Sequence, residues 1–118
     1  MAAKDELGRR GEELAAIYLS TLGHVVLERN WRCSLGEVDL ITRDGADTVF
    51  VEVKTRSSLA FGHPFEAITD RKLARLRKLA GEWCAQQTSR HGPIRIDAVS
   101  VIASSGQTPD IEHLRRVF

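Results

Sequence analysis

Val38-Asp39-Leu40-Ile41-Thr42, Arg43-Asp44-Gly45-Ala46-Asp47 and Thr48-Val49-Phe50-Val51-Glu52-Val53 run on without a gap, and their reading decides the fold. The outer segments are rich in β-formers, and the Asp44-Gly45 pair between them is a strong hairpin signal. Two antiparallel, neighbouring strands are expected. Alternation puts Val49, Val51 and Val53 on one face and Phe50, Glu52 and Lys54 on the other. Both faces are apolar apart from the charges, which describes a central strand covered on both sides, with Glu52 and Lys54 emerging at its end. The same alternation groups Asp39 with Glu37 and Ile41, opposite Val38 and Leu40.

Upstream, from about Asp5 to Leu22, Leu7, Leu14, Ala15, Ile17, Tyr18 and Leu22 fall mostly at helical spacings, and Gly23 stands where a helix commonly stops. His24 to Arg29 suggests a first strand, with a bend through Asn30 to Gly36. Downstream, the polar stretch with Ser57, Ser58, Gly62 and Pro64 reads as a loop. Thr69 or Asp70 can cap a second helix running to about Gln87. Arg95 to Ala103 resumes strand character, and the tail from Asp110 to Phe118 suits either a helix or a short strand. The sum is one α/β domain over residues 1–118, with a mixed central sheet of about four strands flanked by the two helices.

At 118 residues the chain is long enough for one real core and no second one. Its formal charge of +1 excludes a strongly basic, nonspecific nucleic-acid binder, so attraction to phosphate needs local clustering. No apolar run approaches a membrane span, and the charged start lacks a secretory pattern, so a cytoplasmic protein is expected. Lys4-Asp5-Glu6-Leu7 spells a retention signal that is read only at a C-terminus. Cys33 and Cys84 are isolated thiols and support neither a disulfide framework nor a zinc site.

Twelve residues lie between Asp39 and Glu52, and Lys54 follows two places later. Carboxylates inside strand-forming runs cost folding free energy unless a cation or hydrogen bonds compensate. If the hairpin sets the strands side by side, Asp39 and Glu52 converge, and a hard divalent cation, Mg²⁺ or Mn²⁺, would relieve their repulsion while accepting phosphate oxygens. Lys54 would then stabilise charge developing on a phosphodiester. The plain alternative is an ion-paired strand end in which Lys54 neutralises Glu52 and no metal binds.

The spacing Asp39, Glu52, Lys54, preceded by a helix carrying Gly11-Glu12-Glu13, resembles the PD-(D/E)xK nuclease superfamily, with Val38 where the name has Pro. More closely, Gly8-x-x-Gly11-Glu12, Asn30-Trp31-Arg32, Gly36-Glu37-Val38-Asp39-Leu40-Ile41 and Val49-Phe50-Val51-Glu52-Val53-Lys54-Thr55-Arg56 resemble the YraN family of small bacterial proteins, over nearly the whole chain. That family is similar to archaeal Holliday-junction resolvases. The resemblance implies a restriction-endonuclease-like α/β core and a metal site of Asp39, Glu52 and a helix-borne Glu, matched here by Glu12 with Glu13 as nearest competitor. It also implies branched or structured DNA as partner and suggests a homodimer. A binding module that keeps the fold without cleaving is the competing expectation.

The second helix carries Arg71, Lys72, Arg75, Arg77 and Lys78 opposite a stripe of Leu73, Leu76, Leu79, Ala80 and Trp83. Lys72 and Arg75 are the leading DNA-contact candidates, with Arg9, Arg10 and Arg56 as further ones. The Gly8-Arg9-Arg10-Gly11 run also mimics the clamping loop of KH domains, but the surrounding pattern of elements does not. His24, His63, His91 and His113 lack metal-ligand spacing and are assigned no role; Trp31 and Trp83 are expected to pack rather than stack on bases.

Overall fold

A computed structural model describes residues 3–60 and 62–117; Met1, Ala2 and the tail residue Phe118 lie outside the described residues. The elements run α1 (Ala3–Thr21), β1 (Val25–Cys33), β2 (Gly36–Asp44), β3 (Asp47–Arg56), a 3-10 turn (Pro64–Ala67), α2 (Asp70–Ala85), β4 (Ile94–Ile102) and β5 (Asp110–Leu114). One five-stranded sheet in the order β1-β2-β3-β4-β5 results. β3 and β4 are parallel, joined through α2, and the other neighbours are antiparallel. The expected hairpin forms on a two-residue turn, Gly45-Ala46, with Gly45 at φ 61.

The sheet has one more strand than expected, because the ambiguous tail adds β5 to the edge of β4. β1 also outruns its expected end. The bend foreseen over residues 30–36 narrows to the two-residue turn Ser34-Leu35, and the strand runs through a left-handed residue, Asn30 at φ 49, to Cys33. Asn tolerates that conformation better than most side chains do.

Each face of the sheet carries one helix. Ala15, Ala16 and Leu19 of α1 close over Leu40, Val49, Val51, Val53, Val99 and Val101, while Leu73, Leu76, Leu79, Ala80 and Trp83 of α2 close over Val38, Ile41, Phe50 and Ile96. The α2 stripe is buried as its spacing foretold, and Trp83 meets Phe50 edge to face at 5.7 Å. Thr69 caps α2, its hydroxyl accepting the Lys72 N–H at 3.2 Å. Gly23, at φ 95, ends α1: its N–H reaches the Ser20 carbonyl and the His24 N–H reaches that of Leu19. Ile17 and Leu22, counted on the apolar stripe of α1, are instead 54% and 52% exposed. Ile17 lies about 200° around the helix from Ala15, at roughly 100° per residue, and so faces away from the sheet.

Strict alternation fails in β2, where Val38 and Ile41 both pack under α2 and Leu40 packs under α1. The break falls at Asp39. Pairing of β2 with β3 runs from Asp44↔Asp47 to Leu40↔Val51 and stops there. Beyond it the Asp39 side chain, rather than a ladder carbonyl, accepts the Val53 N–H at 2.8 Å.

Candidate functional site

The interruption at Asp39 places a carboxyl at the rim of the central strands. Burial, and then the charge of Glu52, push the Asp39 carboxyl up to about 8; Glu12 and Glu37 add to the rise, and the Val53 N–H opposes it. Both burial and the neighbouring carboxylates thus disfavour the charged form of Asp39. Among the described residues no Lys, Arg or His forms an ion pair with Asp39. Glu52, by contrast, is paired: its Oε2 lies 3.2 Å from Lys54 Nζ, both side chains being largely shielded.

Glu12 reaches this end of the sheet because of the residue before it. A Cβ on Gly11 would stand 1.9 Å from Thr55 Oγ1, so only glycine lets α1 lie this close to β3. Glu12 Oε1 accepts from Asn30 Nδ2 at 2.9 Å, whereas Glu13, its competitor, turns to Arg29 at 2.8 Å. Glu12 lines two small clefts. One, of about 290 Å³, is shared with Val53, Lys54, Thr55 and Arg56; the other, of about 200 Å³, with Arg9, Arg29, Asn30 and Leu40.

Lys54 also has a cationic neighbour. Lys72, in the first turn of α2, comes within hydrogen-bonding reach of it, and the Lys54 charge, followed by burial, lowers the Lys72 ammonium below the ordinary lysine range. Arg75, one turn on, runs past the β1-β2 turn, its Cδ 3.9 Å from where a Gly36 Cβ would be. Arg9 and Arg10 are exposed on α1, and Arg56 donates to the Thr55 carbonyl at 3.2 Å.

These residues have the chemistry of a hard-cation site, since Asp39, Glu52 and Glu12 offer oxygen alone and a cation would relieve the repulsion that raises Asp39. Among the described residues, however, no three His, Cys, Asp or Glu side chains are already drawn into a metal-holding group. Asn30 holds Glu12 and Lys54 holds Glu52, which limits the repulsion that gathering three carboxylates would create. Mg²⁺ does not require a full protein cage: one or two carboxylates with waters and substrate phosphates commonly suffice.

A second charged cluster escaped the sequence reading. Arg95 and Asp97, 3% and 0% exposed, form a two-pronged pair at 2.9 and 3.0 Å, and Arg95 also meets Asp44 at 2.9 Å and Asp47 at 3.1 Å. His113 of β5 stands 2.7 Å from Asp97, and His24 meets Thr42 at 2.8 Å and Asp44 at 3.5 Å. Burial alone would raise Asp97, but hydrogen bonds from His113, Arg95 and the Arg116 N–H outweigh it and hold the carboxyl at about 2. Burial lowers His24. The two histidines that seemed scattered thus fasten the far end of the sheet. The signal for the cluster was Arg95-x-Asp97, two opposite charges on one face of a strand that is otherwise apolar. A larger groove of about 670 Å³, between Leu27, Trp83 and Arg90, is lined by Glu28 of β1 but by none of Glu12, Asp39 and Glu52.

Fold and site together define a small α/β domain whose mixed sheet, clad by a helix on each face, carries facing acidic and basic side chains at the end of its central strands. This architecture is compatible with a restriction-endonuclease-like fold. Residues 11–101 match the model of the uncharacterised protein family UPF0102, and the chain belongs to that family, the YraN family of the sequence resemblance. It is 54% identical over 117 residues to a UPF0102 protein of Arthrobacter sp. (strain FB24) and 54% identical to one of Beutenbergia cavernae, covering 99% of both chains in each case. It is 53% identical over 114 residues to one of Leifsonia xyli subsp. xyli, covering 97% of both. Among the described residues no helix is long and apolar enough to cross a membrane.

Proposed function

We propose that this protein is a divalent-metal-dependent deoxyribonuclease that hydrolyses phosphodiester bonds in branched or otherwise structured DNA. The observation that carries this reading is Asp39: a carboxyl set among Glu52, Glu12 and Glu37, lacking a cationic partner among the described residues and pushed up to about 8. Asp39 and Glu52 would hold Mg²⁺ or Mn²⁺, with Glu12 joining them. The ion would supply charge neutralisation at the phosphate and a more acidic water. Lys54 contributes a fixed positive charge for the non-bridging phosphate oxygens, where charge grows as the bond breaks. As an alternative to ligation, Glu12, half-buried at the cleft, would take a proton at Oε1 once Asn30 releases it. Lys72 and Arg75 extend the positive charge along α2 and would seat the flanking phosphates, which position the strand without reading its sequence.

One feature favours a second reading. The Glu52–Lys54 pair, in which each charge already has its partner, suits a nucleic-acid-binding or partner-binding module without cleavage. A panel of labelled four-way junctions, flaps and linear duplexes, incubated with Mg²⁺ or Mn²⁺, separates the two. The nuclease reading expects cleavage of a branched substrate by wild type and its loss in Lys54→Ala. Binding without cleavage under every metal condition would leave the module.

A further inference from the structure

The hairpin between β1 and β2 turns through Ser34 and Leu35, closed by the Cys33↔Gly36 pair. Leu35 stands at its tip, 48% exposed, with its N–H on Cys33 Sγ at 3.4 Å. Single exposed leucines are ordinary, and Ile17, Leu22 and Leu59 are others here. Three features set Leu35 apart. The hairpin beneath it is fixed, because Trp31 and Cys33 pack into the α2 core. Cations outnumber acids around it: Arg75 runs past Gly36 with Lys72 one helical turn from it on α2, and Arg32 on the adjoining strand, with its side chain 77% exposed, is paired at 3.5 Å with Glu37. Finally, β2 leads from this tip directly to Asp39. Four residues at about 3.3 Å each put Leu35 roughly 13 Å from the carboxylates.

We propose that Leu35 is an apolar wedge that enters DNA at an unstacked step and thereby selects branched over continuous duplex. The inference rests on the nuclease reading and names how its substrate is recognised. An apolar side chain inserted between bases must first separate them, and that cost is least where a branch has already disrupted stacking. The flanking cations supply the phosphate attraction that brings either DNA form to this face, so they confer affinity and Leu35 confers the preference. Geometry also sets an offset. At about 3.4 Å per nucleotide, a 13 Å separation places the cut about four nucleotides from the branch.

The test is fluorescence anisotropy in EDTA, with a four-way junction, a flap and a linear duplex of matched length, using wild type, Leu35→Ala and Leu35→Met. A 2-aminopurine at the branch reports unstacking. Wild type should prefer the branched forms, and Leu35→Ala should lose roughly tenfold of that preference, about 1.4 kcal/mol, with duplex affinity unchanged. Leu35→Met should keep the preference, and the 2-aminopurine signal should rise with wild type but not with Leu35→Ala. An unaltered branched-to-linear ratio in a folded Leu35→Ala that still binds DNA overturns the wedge and leaves the nuclease reading standing. Failure of wild type to bind any DNA, in EDTA and again with Mn²⁺ in its place, overturns both.

Discussion

Replacing Asp39 by Asn should stabilise the metal-free protein at neutral pH, although it removes the residue at the centre of the proposed site. In the folded chain the Asp39 carboxyl is pushed up to about 8, against 3.8 for an ordinary aspartate in the unfolded one. A raised folded value means that the native state retains a proton the unfolded state has lost, so stability is fully present below about pH 4 and declines as pH rises towards 8. At pH 7 the gap spans about three units, or about 4 kcal/mol at 1.36 kcal/mol per unit. Partial solvent access makes this a ceiling, and a gain of about 1 to 3 kcal/mol is expected. Asn mimics the protonated acid and its carbonyl can still accept the Val53 N–H. Urea unfolding of both proteins in EDTA at pH 4, 6, 7 and 8.5 is the assay. The curves should coincide at pH 4 and part progressively above it, and Mn²⁺ should narrow the difference by stabilising wild type more than the variant. A variant equally or less stable than wild type at pH 7, or a gap independent of pH, would refute the reasoning.

Other consequences follow from particular contacts. Gly11→Ala drives a methyl group into Thr55; it should lower stability by about 1 to 3 kcal/mol and, through Glu12, lower metal affinity, while Gly8→Ala, with open space around it, should leave both intact. Arg95→Met strands Asp97 and its acidic neighbours, and calorimetric melting should show a loss of about 3 to 5 kcal/mol. The depressed Asp97 carboxyl contributes stability that is present above its unfolded value and lost as pH falls through about 2, so acid unfolding of wild type should steepen below pH 4 and flatten in Asp97→Asn. Replacing Lys72 and Arg75 together by Ala should weaken DNA binding and reduce the salt slope by about two counterions; an unchanged slope would take α2 out of the interface.

Local rules carried the sequence reading as far as local rules govern the molecule. The β2-β3 hairpin, the buried α2 stripe and the Thr69 cap follow from turn chemistry and periodicity, and each is present. That Asp39 and Glu52 come near enough to interact follows from the same tight turn, although the ladder ends one pair short of them, at Leu40↔Val51. The Glu52–Lys54 contact was legible as well, two places apart on one strand face. Pairings between distant segments were not. β5 is specified by its contacts with β4 and by His113 on Asp97, which a five-residue segment of mixed periodicity does not announce. Asn30 and Asp39 break their strands through a left-handed residue and a side-chain hydrogen bond, and alternation assumes neither. Glu12 could be named from resemblance, but its approach depends on the Gly11 contact with Thr55.

The central claim is that the Asp39 site exchanges a proton for a divalent cation. Isothermal titration of Mn²⁺ into metal-free protein at pH 6.5, repeated in two buffers of different ionisation enthalpy, measures both events at once. The account predicts one strong site and release of about one proton per ion, with release abolished in Asp39→Asn and affinity reduced in both Asp39→Asn and Glu52→Gln. Absence of binding by wild type, or binding that releases no proton and survives both substitutions, would contradict it.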